Sequence, residues 1–484
     1  MKRYLSFLIS FALCLWLAGC GVSAAALNDT TEEKTETSVA AEEIPVADGN
    51  ITLSDNGSKA DGPNVIVDGN TVTITAAGTY RLTGTLTDGQ VIVDAQDAKV
   101  TLLLEGVNIT SKGGAAVYVA EADKVTVFLS EGSENTLSSV GEYTDPEGKI
   151  DAAVFSRDDL TIRGSGTLTV ASETGHGIVS KDDLEIKNGA VNVTAAKKGL
   201  AGNDSVEITD GTVTVTAGTD AVHAENTEDA EKGTVTIEGG TITLTAGNDG
   251  VDASGEVLLS GGTVYITSGT AMSDTDSGKG VKSDRDITIS GGTLAINAQD
   301  DGVHADGSLT IAGGQIAVAS ADDGLHAAEL LQIDGGRIAL AAVEGLEATC
   351  IRINDGTIQI QASDDGINAA RKSGAYTPTV EINGGDITIE MGAGDTDGID
   401  SNGNIVVNGG TITITGSSGF DYDGAAQHNG GTIIVNGQQI DAIPNQMMGG
   451  FGGRMGGFGG DQGSFGGRDP SGGMGGGFGG RGRG

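Results

Sequence analysis

Residues 299–336 read QDDGVHADGSLTIAGGQIAVASADDGLHAAELLQIDGG, which is one pattern written nearly twice. Two acids and a glycine recur, followed by a short apolar run, a paired glycine, and another apolar run. Paired glycines of the same kind stand at Gly239-Gly240, Gly261-Gly262, Gly291-Gly292, Gly313-Gly314, Gly335-Gly336, Gly384-Gly385 and Gly409-Gly410. Self-similarity at a short fixed period constrains the fold more than any composition does, because such a unit cannot bury its own apolar face.

One unit, Ile287 to Ser308, splits into "ITI", a Gly-Gly turn, "TLAINA", an acidic turn, "VHA" and a last turn. Apolar residues fall on alternate positions, the period of a strand. Ile287, Ile289, Leu294, Ile296, Val303 and Ala305 are expected to face one way. Leu309, Ile311, Ile316, Val318, Leu325 and Ala327 take the same places in the next unit. Stacking would set like side chains over like and pair each backbone with the coil above and below. The expected class is therefore all-β: a right-handed parallel β-helix (β-solenoid) with about 20–22 residues per minimal coil. At ~4.8 Å per coil, some fifteen coils would make a rod of roughly 70 Å. A sandwich would need antiparallel hairpins, and a propeller about four longer strands per blade.

The chain has 484 residues, with 67 Asp+Glu against 27 Lys+Arg for a formal charge of −40. Phosphate backbones would be repelled, so nucleic acid is excluded as a partner. Residues 1–19, "MKRYLSFLISFALCLWLAG", carry a basic start and a short apolar run, and Cys20 follows small residues. This is the pattern of a lipoprotein signal peptide, with lipid on the sulfur of Cys20 and the mature protein extracytoplasmic, anchored to the cell membrane. Residues 20–49 are acidic and polar and read as a tether. Residues 50–446 hold the strand pattern. Residues 447–484 are rich in Gly, Phe, Arg and Met and read as a disordered tail, or as a segment for self-association through Arg–aromatic contacts. Cys14 would leave with the signal peptide, so Cys350 has no partner for a disulfide.

If the units stack, their acidic turns stack too. Asp249, Asp301, Asp323, Asp365 and Asp397 stand directly before a glycine; Asp300, Asp322 and Asp364 add a second acid. Three residues after the first set come Asp252, His304, His326, Asn368 and Asp400. Carboxylates repeated at ~4.8 Å repel one another unless protonated, splayed into water or bridged by a cation. Calcium suits such a ladder, since it takes six to eight oxygens in loose geometry. The metal candidates are thus Asp249, Asp252, Asp300, Asp301, Asp322, Asp323, Asp364, Asp365, Asp397 and Asp400. Asp-Gly is equally a turn dipeptide, with Asp bonding the backbone and Gly taking positive φ. Lys279-Gly280 and Glu344-Gly345 break the rule, and a lysine there would replace a cation by its own charge. Zinc is a weaker candidate, with only five His in the chain and no Cys beside them.

The stretches "GTYRLTGTLTDGQVIVDA", "KVTLLLEGVNITS", "AAVFSRDDLTIRGSGTLTV", "HGIVSKDDLEIKNGAVNVTA" and "NDSVEITDGTVTVTAG", in this order, resemble the bacterial carbohydrate-binding domain of calcium-containing parallel β-helices. The resemblance spans about residues 50–435. It implies calcium on the acidic coil face and binding of acidic plant polysaccharide (polygalacturonate, with cellulose as a second ligand) without catalysis. Lys197-Lys198-Gly199 and Asp220-Ala221-Val222 depart from the acid-acid-Gly turn, so the early coils are expected to lack metal. The competing readings are a structural or adhesive surface rod and a polysaccharide lyase, for which Lys279, Lys282 or Arg285 would be the base.

Overall fold

A computed structural model describes residues 44–145, 149–271, 277–394 and 396–444. The signal peptide, Cys20, most of the tether and the Gly-rich tail lie outside the described residues. Among the described residues all regular structure is strand: 45 strands, from Gly49–Ser54 to Gln438–Ile440, joined in one hydrogen-bonded sheet.

From residue 134 onward nearly every strand pairs in parallel with the equivalent strand of the next repeat. Ile287–Ile289 pairs with Leu309–Ile311, Thr293–Asn297 with Gln315–Ala319, and Val303–Ala305 with the start of Leu325–Ile333. Three strands thus make one coil, and each coil hydrogen-bonds to the next through all three. This is the pairing that a β-solenoid requires. The register step from Asp301 to Asp323 is 22 residues. Insertions such as the segment between Ala369 and Thr379 lengthen a turn without moving the strands around it.

The alternation read from the sequence sets the core. Ile287, Ile289, Leu294, Ile296, Val303 and Ala305 are all buried, and so are their equivalents one coil on. They join a single apolar cluster that runs from Ile51 to Ile433. Each fully buried Val, Leu or Ile contributes about 1.5–3 kcal/mol, and only stacking provides that burial. Cys350 is buried and free. A small second cluster lies outside the core: Phe155, Val179 and Ala201, with Tyr118 and Ile150 packed against it.

The two kinds of glycine do different work. In the paired glycines the second takes the left-handed conformation: Gly292, Gly314 and Gly336 have φ of 78°, 94° and 94°. The glycine of the acidic turn does not, contrary to the expectation for an Asp-Gly turn. At Gly302 a Cβ would stand 2.2 Å from Cγ1 of Val318 and 2.6 Å from the carbonyl oxygen of Gly324. That position needs glycine because the next coil fills the space, not because of its dihedral angle. A further ladder, of asparagines, runs along another corner. The side-chain amide of Asn383 donates to Asn354, that of Asn408 to Asn383 and that of Asn429 to Asn408, at 2.8–2.9 Å.

Among the described residues, strands run antiparallel only near the ends of the stack. Val65–Asp68 reverses against Thr71–Ile74, and Lys59–Ala60 against Gly49–Ser54. At the other end Gln438–Ile440 reverses against Thr432–Val435.

Candidate functional site

The short strands that follow the acidic turns form one face of the coil stack. Their inward residues are small and apolar, such as Val251 and Ala253 or Val303 and Ala305. Their middle residues point outward and lie in register: Ala201, His223, Asp252, Lys282, His304, His326, Glu347, Asn368, Asp400 and Asp421. Beside this column runs a second, three residues earlier in each coil. It contains Lys198, Asp220, Asp249, Lys279, Asp301, Asp323, Glu344, Asp365 and Asp397, held in step by backbone hydrogen bonds from each following residue to the next coil's turn. The predicted residues Asp249, Asp301, Asp323, Asp365 and Asp397 therefore share one column, and Asp252 and Asp400 share the other. Asp300, Asp322 and Asp364 sit one residue before the turn column, and Asp322 and Asp364 are exposed.

The turn carboxylates serve two uses, and Asp301 shows both. One oxygen braces the coils. Asp249 Oδ1 accepts from the Lys279 N–H at 2.7 Å, Asp301 Oδ1 from the Asp323 N–H at 3.1 Å, and Asp365 Oδ1 from the Asp397 N–H at 2.9 Å. The other oxygen faces the ladder. Asp301 Oδ2 lies 2.7 Å from His304 Nδ1, and Asp323 Oδ2 2.9 Å from His326 Nδ1. The two imidazoles stack with centroids 4.4 Å apart and 7° between planes.

Charge along the face is not uniform. In the middle coils cations from the chain alternate with the acids. Lys279 Nζ reaches Asp300 at 2.6 Å and Asp301 at 2.8 Å. Lys282 Nζ reaches Asp252 at 2.8 Å and Asp284 at 3.2 Å. His326 Nδ1 also meets Glu347 at 2.9 Å, and Lys372, from an insertion, meets Glu347 at 2.5 Å. The lysine at position 279 thus does what a bridging cation would do. Burial pushes Asp252 upward, but His223 and Lys282 outweigh it and hold the carboxyl at about 2. Burial opposes a charge on His326, yet Asp323 and Glu347 raise it to about 9.

Beyond Glu347 the pattern changes. Among the described residues, Asp364, Asp365, Asp400, Asp421 and Asp423 have no lysine, arginine or histidine within ion-pair distance. Burial raises Asp365 to about 6, with Asp400 and Asp364 adding repulsion. Burial likewise raises Asp400 to about 6, with Asp421 the largest repelling charge. Between them Asn368 donates its amide to Glu344 Oε2 at 2.9 Å, while its Oδ1 is buried with no hydrogen-bond partner. An orphaned amide oxygen among crowded carboxylates is an all-oxygen donor set. Oxygen is the donor type a hard divalent cation such as calcium takes, and zinc prefers nitrogen or sulfur. Among the described residues, the all-carboxylate group whose oxygens lie within 4.8 Å of one another is Asp300, Asp301 and Asp322.

The sequence reading missed Asp220, His223, Lys282, Glu347 and Lys372 as members of the ladder. The first four sit at the same offsets from their turns as the named acids, so continuing the columns through every coil would have found them. Lys372 enters from an insertion and carries no such signal. Tyr265 and Tyr376 are exposed, whereas Phe420 is buried.

A stretch of 128 residues is 41% identical to a carbohydrate-binding domain-containing protein of Acetivibrio thermocellus. That alignment covers 26% of this chain and 45% of the relative, so the chain spans less than half of the relative's length. A solved structure, described as the polysaccharide lyase-like protein from C. thermocellum in a gadolinium derivative, is 37% identical. It covers 46% of this chain and 91% of its own, with a TM-score of 0.45. The model of the family described as carbohydrate-binding domain-containing protein matches residues 68–324 and 319–441. A chain with this repeat, matched over most of its length, belongs to the carbohydrate-binding domain-containing family.

Proposed function

We propose that this protein is a surface-held, calcium-dependent carbohydrate-binding protein that takes acidic polysaccharide of the polygalacturonate type and does not cleave it. The reading includes a right-handed parallel β-helix and a lipid on Cys20 that holds the chain outside the cell membrane. The observation that carries it is the family match over residues 68–441 on a face whose last coils set Asp364, Asp365, Asp400 and Asp421 close together, with Asp365 and Asp400 each raised to about 6 by burial and by their neighbours' charge. Calcium would be held by Asp365, Asn368, Asp397 and Asp400, with Asp364 able to join from the rim. When bound it would supply shared coordination between these oxygens and the carboxylates of the polymer. This chain's own part is to present the oxygens in register along a flat face, at ~4.8 Å per coil. Among the described residues Tyr265 and Tyr376 are the exposed large aromatics, which argues against ring stacking on neutral cellulose by this face.

The compensated coils from Asp249 to Glu347 favour a second reading for that stretch, a stiffened rod whose acids serve the architecture. Retention on polygalacturonate, in calcium and again in chelator, separates the two. Absorbance for unsaturated sugar is followed at the same time. Retention that needs calcium and gives no product supports the binding protein; product would make it a lyase. No retention in either condition would leave the rod.

A further inference from the structure

The outward column of the acidic face does not begin with acids. Thr73, Ile92, Tyr118, Phe155, Val179 and Ala201 precede His223 in it. Where Val179 and Ala201 stand, the face is recessed. The recess holds about 160 Å³, with Val179, Ala201 and Gly202 among its lining, and its charged and imidazole members are Asp151, His176, Lys181, Lys198, His223 and Glu225.

Its cations are under-compensated. Lys198 has a side chain only 25% exposed, and its nearest carboxylate, Glu225, is 4.0 Å away. Lys279, also largely buried, has two carboxylates within 2.8 Å. The difference shows in their ionisation: burial outweighs the surrounding acids and lowers Lys198, whereas Asp300 and Asp301 overcome burial and raise Lys279. Lys181 is exposed at the rim, with its ammonium 5.8 Å from the centroid of Phe155 and no ion pair among the described residues. The other groups are engaged. His176 accepts the Lys198 N–H at Nδ1 and meets Asp151 through Nε2 at 3.2 Å. Lys197 turns to Asp151 at 3.5 Å, and His223 Nε2 to Glu225 at 3.3 Å. In a chain of net charge −40, two ammonium groups converge on one recess partly lined by Val179 and Ala201, Lys198 held only by a long 4.0 Å ion pair to Glu225 and Lys181 with no ion pair among the described residues.

We propose that this recess is a carboxylate subsite, in which Lys198 and Lys181 take the carboxylate of one uronate unit directly, without a bridging cation. It rests on the acidic-polysaccharide reading and adds a second mode of recognition to it. A largely desolvated ammonium with only a long ion pair is costly, and an incoming carboxylate offsets that cost with charge-assisted hydrogen bonds. Val179 and Ala201 offer the C–H face of a sugar ring a surface without competing donors.

The test uses the full chain in detergent solution, titrated calorimetrically with trigalacturonate and with its methyl ester, in calcium and in chelator. Lys198→Gln should weaken trigalacturonate binding about tenfold or more. Lys181→Gln should weaken it less, and Lys198→Arg should retain it. The methyl ester should bind the unaltered chain weakly and be indifferent to Lys198→Gln. The unfolding midpoint and the number of calcium ions bound should stay unchanged in each variant. If the unaltered chain binds trigalacturonate and Lys198→Gln binds it equally, the subsite is wrong and the polysaccharide reading stands. Equal affinity for acid and ester also overturns the subsite. If the unaltered chain binds neither oligomer with or without calcium, both readings fall.

Discussion

Replacing Lys279 by methionine tests whether a chain cation and a metal ion are interchangeable on this face. The lysine holds two carboxylates, Asp300 at 2.6 Å and Asp301 at 2.8 Å, and its side chain is 14% exposed. Methionine keeps the length and apolar stem, so cavity effects are small. What is lost is the charge opposite Asp301, whose own side chain is 5% exposed. Breaking a buried ion pair from one side costs about 3–5 kcal/mol. Asp300 is 24% exposed and can turn to water, so the low end, about 3 kcal/mol, is expected. The sign with pH follows from Asp301. Burial alone would raise its carboxyl, but His304 and Lys279 hold it well below the usual range. Its contribution is therefore present above the unfolded carboxyl pKa and lost on acidification; the variant's deficit should be full at neutral pH and shrink in acid. Guanidinium unfolding in chelator measures the deficit. Calcium at about one hundred times its dissociation constant would return about 2.7 kcal/mol if the vacated position takes an ion. Calorimetry should then count one more calcium per chain than in the unaltered protein. A loss below about 1 kcal/mol, or no additional ion, would refute the equivalence of lysine and cation.

Two further outcomes follow from the same geometry. Gly302→Ala should cost at least about 1–3 kcal/mol by overpacking, because its Cβ would meet Val318 and the Gly324 carbonyl; Gly374→Ala, with nothing near it, should stay within about 0.5 kcal/mol by the same denaturation assay. Asp400 is raised to about 6 from 3.8, so in chelator its contribution is present below 3.8 and lost as pH rises through 6; Asp400→Asn should flatten the fall in thermal midpoint over that window, and parallel curves for the two proteins would count against it.

The parts of the fold legible in the sequence are those where each coil repeats the same local choice. The inward positions Ile287, Ile289 and Leu294 and their successors follow from alternation alone. The second glycine of each pair follows from the turn. The acidic-turn glycine was legible as a glycine but not for its reason, because the obstacle at Gly302 is Val318 on the next coil. A local reading sees a dihedral preference and cannot see neighbours such as Val318 and Gly324, brought against Gly302 by the next coil. The acids of the ladder were legible as a column, and Lys279 as a charge that replaces a cation. Their division into compensated and bare coils was not, since it turns on Lys282, Glu347 and His326 meeting across coils and on Lys372 reaching in from an insertion. The recess at Lys198 was read only as a departure from the acidic turn. Its meaning depends on the small residues Val179 and Ala201 beneath it and on the distance to Glu225.

The reversed strands near the two ends of the stack bear on what the molecule cannot become. A column of parallel strands ends in unpaired amide and carbonyl groups, and an identical column could dock there and continue the ladder without limit. Val65–Asp68 and Lys59–Ala60 at one end, and Gln438–Ile440 at the other, lie across those edges in the opposite sense. A second copy arriving end to end would meet a strand of the wrong polarity and the wrong register. Fibre growth is thereby closed off on the faces these strands cover, and the number of coils written in one chain fixes the length of the charged track.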